Sequence, residues 1–402
     1  MDNLQIKKEK KKYFASFLWK LTLAIVIILI IQAVLMGPLY IFIGVMDELS
    51  KRMFNDFTFG YKKFVDSGYL NTVSEILKYI YLMVSVAIGS LILYFMTKKN
   101  AKKPEEHNLK FGWWLVLFIC CFGISGIGSL IGSITNAVIL LPATVINAVA
   151  SNLLSGSTVI NSLLYADDSW AYLIFGIITV GIVVPILEEF IFRKIVIDST
   201  SKYGYGAAIM ISAFTFAVYH GNFTQFFYAF GLGFLFAYIY SNTGKLRYTV
   251  FLHMCYNLYA ALIIPLARKT IPAGVLEGIT EALEKFSSYI QANPNGIKEA
   301  STMYSATVER ILTQNPTALF GILLTAFVNI FYYFLVLLGI IFIIVFMKKA
   351  IAVRKNMMLG QKGTKRCAAG NWGAVLFYVL TAAIFLLFYG MMYLATILSV
   401  FA

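Results

Sequence analysis

Two carboxylates, one guanidinium and two imidazoles occur close together in otherwise apolar sequence. Glu188 and Glu189 are neighbours, Arg193 follows Glu189 by four residues, and His220 and His253 are two of the 3 histidines in the chain. An ionisable side chain at the centre of a bilayer costs roughly 2.5 kcal/mol or more, so such groups persist mainly where they pair or do chemistry. Carboxylates and imidazoles are common general acids and bases, and this set therefore predicts acid–base chemistry.

The spacing within the acidic and basic block predicts one paired and one unpaired carboxylate. Glu189 and Arg193 fall on one helical face, in the order that favours an ion pair. That pair leaves Glu188 without a local partner. Pro185 lies one turn before Glu188 and cannot donate a helical hydrogen bond, which predicts a bend and a freed carbonyl. An interpretation in which both carboxylates are merely structural does not explain why a second one stands beside a paired one.

Glu188 and His220 are placed symmetrically about a turn. Glu188 lies 16 residues before Gly204, and His220 lies 16 residues after it. In an antiparallel helical hairpin that turns at Gly204, both side chains lie at the same depth, about 24 Å along the helix from the turn. Phe216 is one turn before His220 and is expected to add an aromatic surface to the same face.

A second turn, Asn242-Thr243-Gly244, precedes the last histidine. His253 and Asn257 follow Gly244 by nine and 13 residues. Because they are four residues apart, the two side chains project from one helical face. A lone histidine inside a membrane is often only a satisfied core residue. The match in depth to Glu188 and His220 favours a functional role here.

The composition predicts an integral membrane protein. Of 402 residues, 60% are hydrophobic and 13% are charged, unlike an ordinary soluble domain. Apolar stretches of about 20 residues are long enough to cross a bilayer. We therefore expect an all-α fold, a polytopic transmembrane helical bundle of about nine spans. These spans are predicted at 17–46, 76–96, 111–134, 170–192, 206–222, 226–241, 248–266, 318–347 and 373–400.

The formal net charge of +14 is distributed as in a membrane protein. Basic residues cluster in alternate connections, such as 97–110 and 348–371. In 47–75 and 267–317 the basic residues are mixed with acidic ones, and 135–169 contains no Lys or Arg. By the positive-inside rule, the pattern predicts a multi-pass protein of the cell membrane with a cytoplasmic N-terminus and an external C-terminus. Anchoring in the lipid bilayer explains these charges, which excludes nucleic acid as a partner.

Three short motifs resemble those of a known family. Their sequences are Glu188-Glu189-Phe190-Ile191-Phe192-Arg193 for EExxxR, Phe216-Ala217-Val218-Tyr219-His220 for FxxxH, and His253-Met254-Cys255-Tyr256-Asn257 for HxxxN. In this order they resemble the CAAX-protease and bacteriocin-processing (CPBP) family of intramembrane proteases, which includes the endoprotease that trims prenylated CAAX proteins. The resemblance covers roughly 170–265.

The resemblance implies a role for each of these residues. Glu188 is the general base that activates water, with help from His220, because a carboxylate partly stripped of water is a stronger base. His253 and Asn257 donate hydrogen bonds to the oxyanion. The supporting residues are Glu189, Arg193 and Phe216.

The resemblance leaves the cofactor open. Glu188, His220 and His253 supply three ligands for an open catalytic zinc site. The sequence lacks the HExxH arrangement of many zinc proteases, and the family also supports a metal-free mechanism. We favour the mechanism that requires no cofactor.

Three classes of function are compatible with these residues. The favoured one is an endopeptidase that hydrolyses a peptide or a membrane-associated protein. The alternatives are a non-catalytic membrane protein that binds peptide, as an immunity factor or a scaffold, and a proton-coupled transporter. A binder has no need of an unpaired carboxylate opposite an imidazole, and no second set of broken polar helices indicates a transporter.

The predicted organisation has five parts. They are transmembrane helices with a basic arm at 1–134, an external or interfacial segment at 135–169, the catalytic helical core at 170–266, a second external or interfacial segment at 267–317, and transmembrane helices at 318–402. In the second segment, Glu277, Glu281 and Lys285 have helical spacing. That spacing predicts either helices lying on the membrane or surface connectors.

Overall fold

A computed structural model of the chain describes residues 69–97, 103–144, 170–220 and 223–359, with scattered positions between 16 and 30. These residues are almost all helical, and no strand occurs among them. The α-helices are α1 (Tyr69–Thr97), α2 (Phe111–Thr144), α3 (Trp170–Gly176), α4 (Val184–Glu189), α5 (Val196–Thr200), α6 (Tyr205–Tyr219), α7 (Phe223–Thr243), α8 (Leu246–Leu258), α9 (Ile264–Arg268), α10 (Val275–Ala292), α11 (Ile297–Gln314) and α12 (Ala318–Leu359). Three π-helical turns join some of them, at Ile177–Val183, Phe190–Ile195 and Tyr259–Ile263.

The helices confirm an all-α membrane protein. Among the described residues, 4 helices are long and apolar enough to cross a bilayer, at Phe111–Thr135, Leu173–Thr200, Leu246–Arg268 and Ala318–Val345. Met83–Thr97 and Tyr205–Tyr219 are shorter apolar helices. The count of nine spans and the five-part division stay predictions. The span predicted at 373–400, and most of the one at 17–46, lie outside the described residues.

Both predicted turns end their helices at a glycine with positive φ. Gly204 has φ 118° and precedes α6, and Gly244 has φ 61° between α7 and α8. A side chain is excluded at Gly244 for a second reason, since a Cβ there would lie 2.6 Å from the Glu105 carbonyl oxygen. The amide of His107 donates to the carbonyl of Thr243 at 2.9 Å. The loop before α2 therefore packs on the turn before α8, as expected of two connections assigned to one membrane face.

Glycines let α7 approach two neighbouring helices closely. A Cβ at Gly128 in α2 would lie 2.4 Å from the Cα of Tyr228, and one at Gly233 in α7 would lie 3.2 Å from the Cα of Ala213 in α6. Small residues permit such contacts between helix backbones in membranes. These contacts hold α7 close to α2 and α6, and the buried Arg193 lies against Ser212 of α6 and Phe236 of α7.

The segment predicted as external or interfacial at 267–317 contains a helical hairpin within a separate compact unit, Tyr259–Phe334. In it, α10 and α11 pack together, with the rings of Phe286 and Tyr304 5.9 Å apart. Glu281 and Lys285 form the ion pair that their spacing favours, at 2.6 Å. Their helical spacing is confirmed, and the position of the hairpin relative to the membrane stays a prediction. Most of the other such segment, from 145 to 169, lies outside the described residues.

The charge asymmetry makes a testable prediction about orientation. In a variant without the native cysteines, Glu105→Cys should react with an impermeant maleimide only after the cells are permeabilised, because the loop before α2 is predicted to be cytoplasmic. Ala402→Cys should react in intact cells. Labelling of Ala402→Cys only after permeabilisation would mean that the number of spans is wrong by one.

Candidate active site

The helix that carries both glutamates is interrupted on each side of them. The π-helical turn Ile177–Val183 precedes Pro185, and the second turn, Phe190–Ile195, begins directly after Glu189. The irregularity predicted at Pro185 thus takes the form of a π-helical turn. Such turns are rare in helices and occur often at functional sites, because they change which side chains face a neighbour.

Glu189 is bound on both oxygens. Its Oε2 lies 3.0 Å from Arg193 Nε, which confirms the predicted ion pair, and its Oε1 lies 3.1 Å from His253 Nδ1. Both members of the Glu189–Arg193 pair are fully buried. Because an ionised carboxylate only accepts, Nδ1 of His253 carries the hydrogen and donates it. Glu189 therefore fixes the imidazole as well as the guanidinium.

Glu188 faces the other nitrogen of the same imidazole. Its Oε2 lies 3.7 Å from His253 Nε2, and the two side chains are 7% and 6% exposed. His253 consequently stands between both carboxylates, one on each ring nitrogen. The sequence predicted no partner for Glu188 within its own helix. Its partner is His253 of α8, 65 residues further along the chain.

His220 reaches this cluster through Phe216. The ring of Phe216 lies 4.7 Å from that of His220 and 5.8 Å from that of His253, edge-on to both. The Nδ1 of His220 is 2.7 Å from the Phe216 carbonyl oxygen. Since a carbonyl only accepts, Nδ1 donates, and Nε2 carries the lone pair of the neutral ring. The predicted aromatic surface of Phe216 is therefore present, and it contacts both histidines.

Asn257 holds α8 against the first π-helical turn. Its Nδ2 donates to the carbonyl oxygen of Val180 at 3.0 Å. One turn separates Asn257 from His253, as their spacing predicted. A side-chain amide nitrogen has two hydrogens, so this bond uses only one of them.

Comparison with known proteins agrees with the three motifs. Residues 170–259, which include every motif residue, match the family described as type II CAAX prenyl endopeptidase, Rce1-like. This match agrees with the resemblance of the three motifs to the CPBP family. A Bacillus subtilis (strain 168) protein named "Putative membrane peptidase YdiL" is 30% identical over 122 residues, which cover 30% of this chain and 46% of that protein. The chain thus spans about half the length of this relative. No solved structure matches the chain.

Arg193 makes three further buried contacts, and those with Ser212 and Phe236 were not evident from the sequence. The Arg193 guanidinium carbon lies 4.7 Å from the centre of the Phe216 ring and 5.5 Å from that of Phe236. Its Nη1 donates to Ser212 Oγ at 3.3 Å, and Ser212 donates to the Phe192 carbonyl at 2.7 Å. Apolar and small residues are common throughout α6 and α7, so no pattern distinguished Ser212 or Phe236.

Glu188, His220 and His253 are the residues that the sequence offered as ligands for a zinc ion. Among the described residues, no three side chains of His, Cys, Asp or Glu are grouped so that they could hold a metal ion. Nδ1 of His253 lies on Glu189 and Nδ1 of His220 lies on the Phe216 carbonyl, an arrangement that is also usual for histidines that bind a metal through Nε2. The choice between a zinc site and a metal-free mechanism therefore stays a prediction.

Proposed function

We propose that the protein is an intramembrane endopeptidase that hydrolyses a peptide or a membrane-associated protein by means of Glu188. One observation supports this assignment above the others. The Glu188 carboxylate is buried in an apolar bundle, and it lies 3.7 Å from an imidazole nitrogen rather than in the ion pair that uses Glu189. A water molecule about 2.8 Å from the Glu188 oxygen would be in position to donate a hydrogen bond to it.

In the proposed reaction, Glu188 removes a proton from this water as the water oxygen attacks the carbonyl carbon of the scissile peptide bond. The neutral His220 accepts a second hydrogen bond from the water at Nε2. Glu188 then gives the proton to the leaving nitrogen as the C–N bond breaks. General acid–base catalysis of this kind contributes about 10²- to 10⁴-fold to the rate.

The oxyanion needs hydrogen-bond donors that are fixed before the reaction. His253 donates from Nε2 when that nitrogen carries a hydrogen. Asn257 donates through the hydrogen that Val180 does not use. Hydrogen-bond donors stabilise the developing oxyanion most strongly when they are fixed in position and the site excludes water.

The substrate can be sought with the native chain and a Glu188→Gln variant. New peptide N-termini should appear in membranes that carry the native protein and be missing from membranes that carry the variant. A binding protein or a scaffold would leave the two sets of N-termini identical. Finding no difference while both proteins are inserted at equal amounts would refute the proposal.

The metal-free mechanism makes a separate prediction. Purified active protein should hold less than one zinc per chain and continue to cleave after treatment with a chelator. Under the same mechanism, His253→Ala and Asn257→Ala should each slow cleavage on the order of 10²- to 10³-fold, the usual cost of one oxyanion donor. One tightly bound zinc per chain, lost and restored together with activity, would contradict it.

A further inference from the structure

Phe236 contacts the site without belonging to any of the three motifs. Its side chain is fully buried in α7. The centre of its ring lies 5.2 Å from that of the His253 imidazole, with the two planes inclined by 34°. The same ring lies 5.5 Å from the guanidinium carbon of Arg193. Phe236 thus contacts both partners of Glu189.

Phe216 contacts the same two side chains from α6. Its ring is inclined by 82° to the His253 imidazole. A glycine one turn before Phe236 makes room for it, since a Cβ at Gly233 would lie 3.0 Å from Phe216 Cδ1. Helix α7 therefore supplies one aromatic ring and leaves space for the other.

The orientation of the imidazole decides whether both carboxylates are reached. A half-turn about the Cβ–Cγ bond of His253 exchanges each ring nitrogen with a carbon. Such a turn would break the 3.1 Å contact with Glu189 and the 3.7 Å contact with Glu188. A ring packed against the imidazole hinders this rotation, because the interior leaves no free volume for it.

We propose that Phe236 is a positioning residue that holds the His253 imidazole with one nitrogen on each carboxylate. The inference rests on the proposed function, in which His253 stabilises the oxyanion. Phe236 has no surface through which it can contact a substrate. Its effect is therefore transmitted through His253.

The kinetic test is Phe236→Leu, which keeps an apolar side chain and removes the ring. We expect kcat to fall about 10- to 100-fold, as for a small displacement of a catalytic group, with KM unchanged. The control is Phe122→Leu, at another fully buried phenylalanine, whose ring contacts include Phe118 and Tyr256. It should retain nearly native kcat. In a His253→Ala background, Phe236→Leu should cause no further loss, because the residue acts through His253.

A second measurement does not depend on cleavage. With only 3 histidines in the chain, ¹⁵N-histidine NMR of the protein in detergent can resolve His253. The native protein should give signals of a single protonation pattern with Nδ1 protonated, and Phe236→Leu should give signals averaged over two ring orientations. An unchanged His253 signal, or equal kcat in Phe236→Leu and Phe122→Leu, would overturn the inference. If the native protein cleaves nothing, the proposed function fails, and the NMR signal still decides whether Phe236 orients His253.

Discussion

Glu188→Gln should reduce the rate of peptide cleavage on the order of 10²- to 10⁴-fold and leave the protein folded and inserted. The amide retains the shape of the carboxylate but cannot accept a proton from water, so the loss is that of a general base. Because Glu188 is separate from the Glu189–Arg193 ion pair, its neutralisation does not leave that pair broken. The measurement is single-turnover cleavage by purified protein of a substrate found in the comparison of membranes.

The matched control is Glu284→Gln. Glu284 is an exposed carboxylate on α10, in the other compact unit, and its neutralisation removes the same charge. Cleavage by this variant should equal that of the native protein. Native turnover by Glu188→Gln would refute Glu188 as the base, and an equal loss in both variants would indicate an effect of net charge alone.

Arg193→Met should destabilise the protein by about 3–5 kcal/mol, the usual cost of removing one partner of a buried ion pair. The variant leaves the Glu189 carboxylate fully buried, with only His253 as a partner among the ion pairs described. Adding Glu189→Gln should recover much of this loss, because the unpaired charge is then removed. The measurement is the free energy of unfolding in detergent, obtained from denaturant titration.

An exposed pair provides the comparison. Lys285→Met breaks the ion pair with Glu281, whose two side chains are 73% and 65% exposed, and it should leave the unfolding transition almost unchanged. If Arg193→Met were as mild as Lys285→Met, Arg193 would not be the group that stabilises Glu189. If the double variant were no more stable than Arg193→Met, the loss of stability would come from lost packing against Phe216 and Phe236.

Local spacing was sufficient to predict several features. The four-residue separation of Glu189 and Arg193 predicted their ion pair, and that of His253 and Asn257 predicted their common face. The glycines at 204 and 244 marked turns, and both have positive φ. These features depend on the geometry of one helix or one turn, which a short stretch of sequence determines.

The side chain that lies beside the Glu188 carboxylate could not be predicted from local spacing. Counting residues from Gly204 placed Glu188 and His220 at the same depth, and both are in the cluster. The imidazole beside the Glu188 carboxylate, however, is that of His253. Depth along a helix follows from the rise per residue, whereas the direction of a side chain also depends on helix phase, which the π-helical turns on both sides of the glutamates change.

The sequence by itself determined the membrane class, the three motifs and the pairing of charges within single helices. Only the tertiary structure decided that His253 lies between the two glutamates, that Asn257 binds the Val180 carbonyl, and that Phe236 contacts the imidazole. The reason is physical. Contacts within a helix follow from its fixed period, but contacts between helices depend on how closely and at what angle their backbones approach, as the glycines at 128 and 233 permit between α7 and its neighbours α2 and α6.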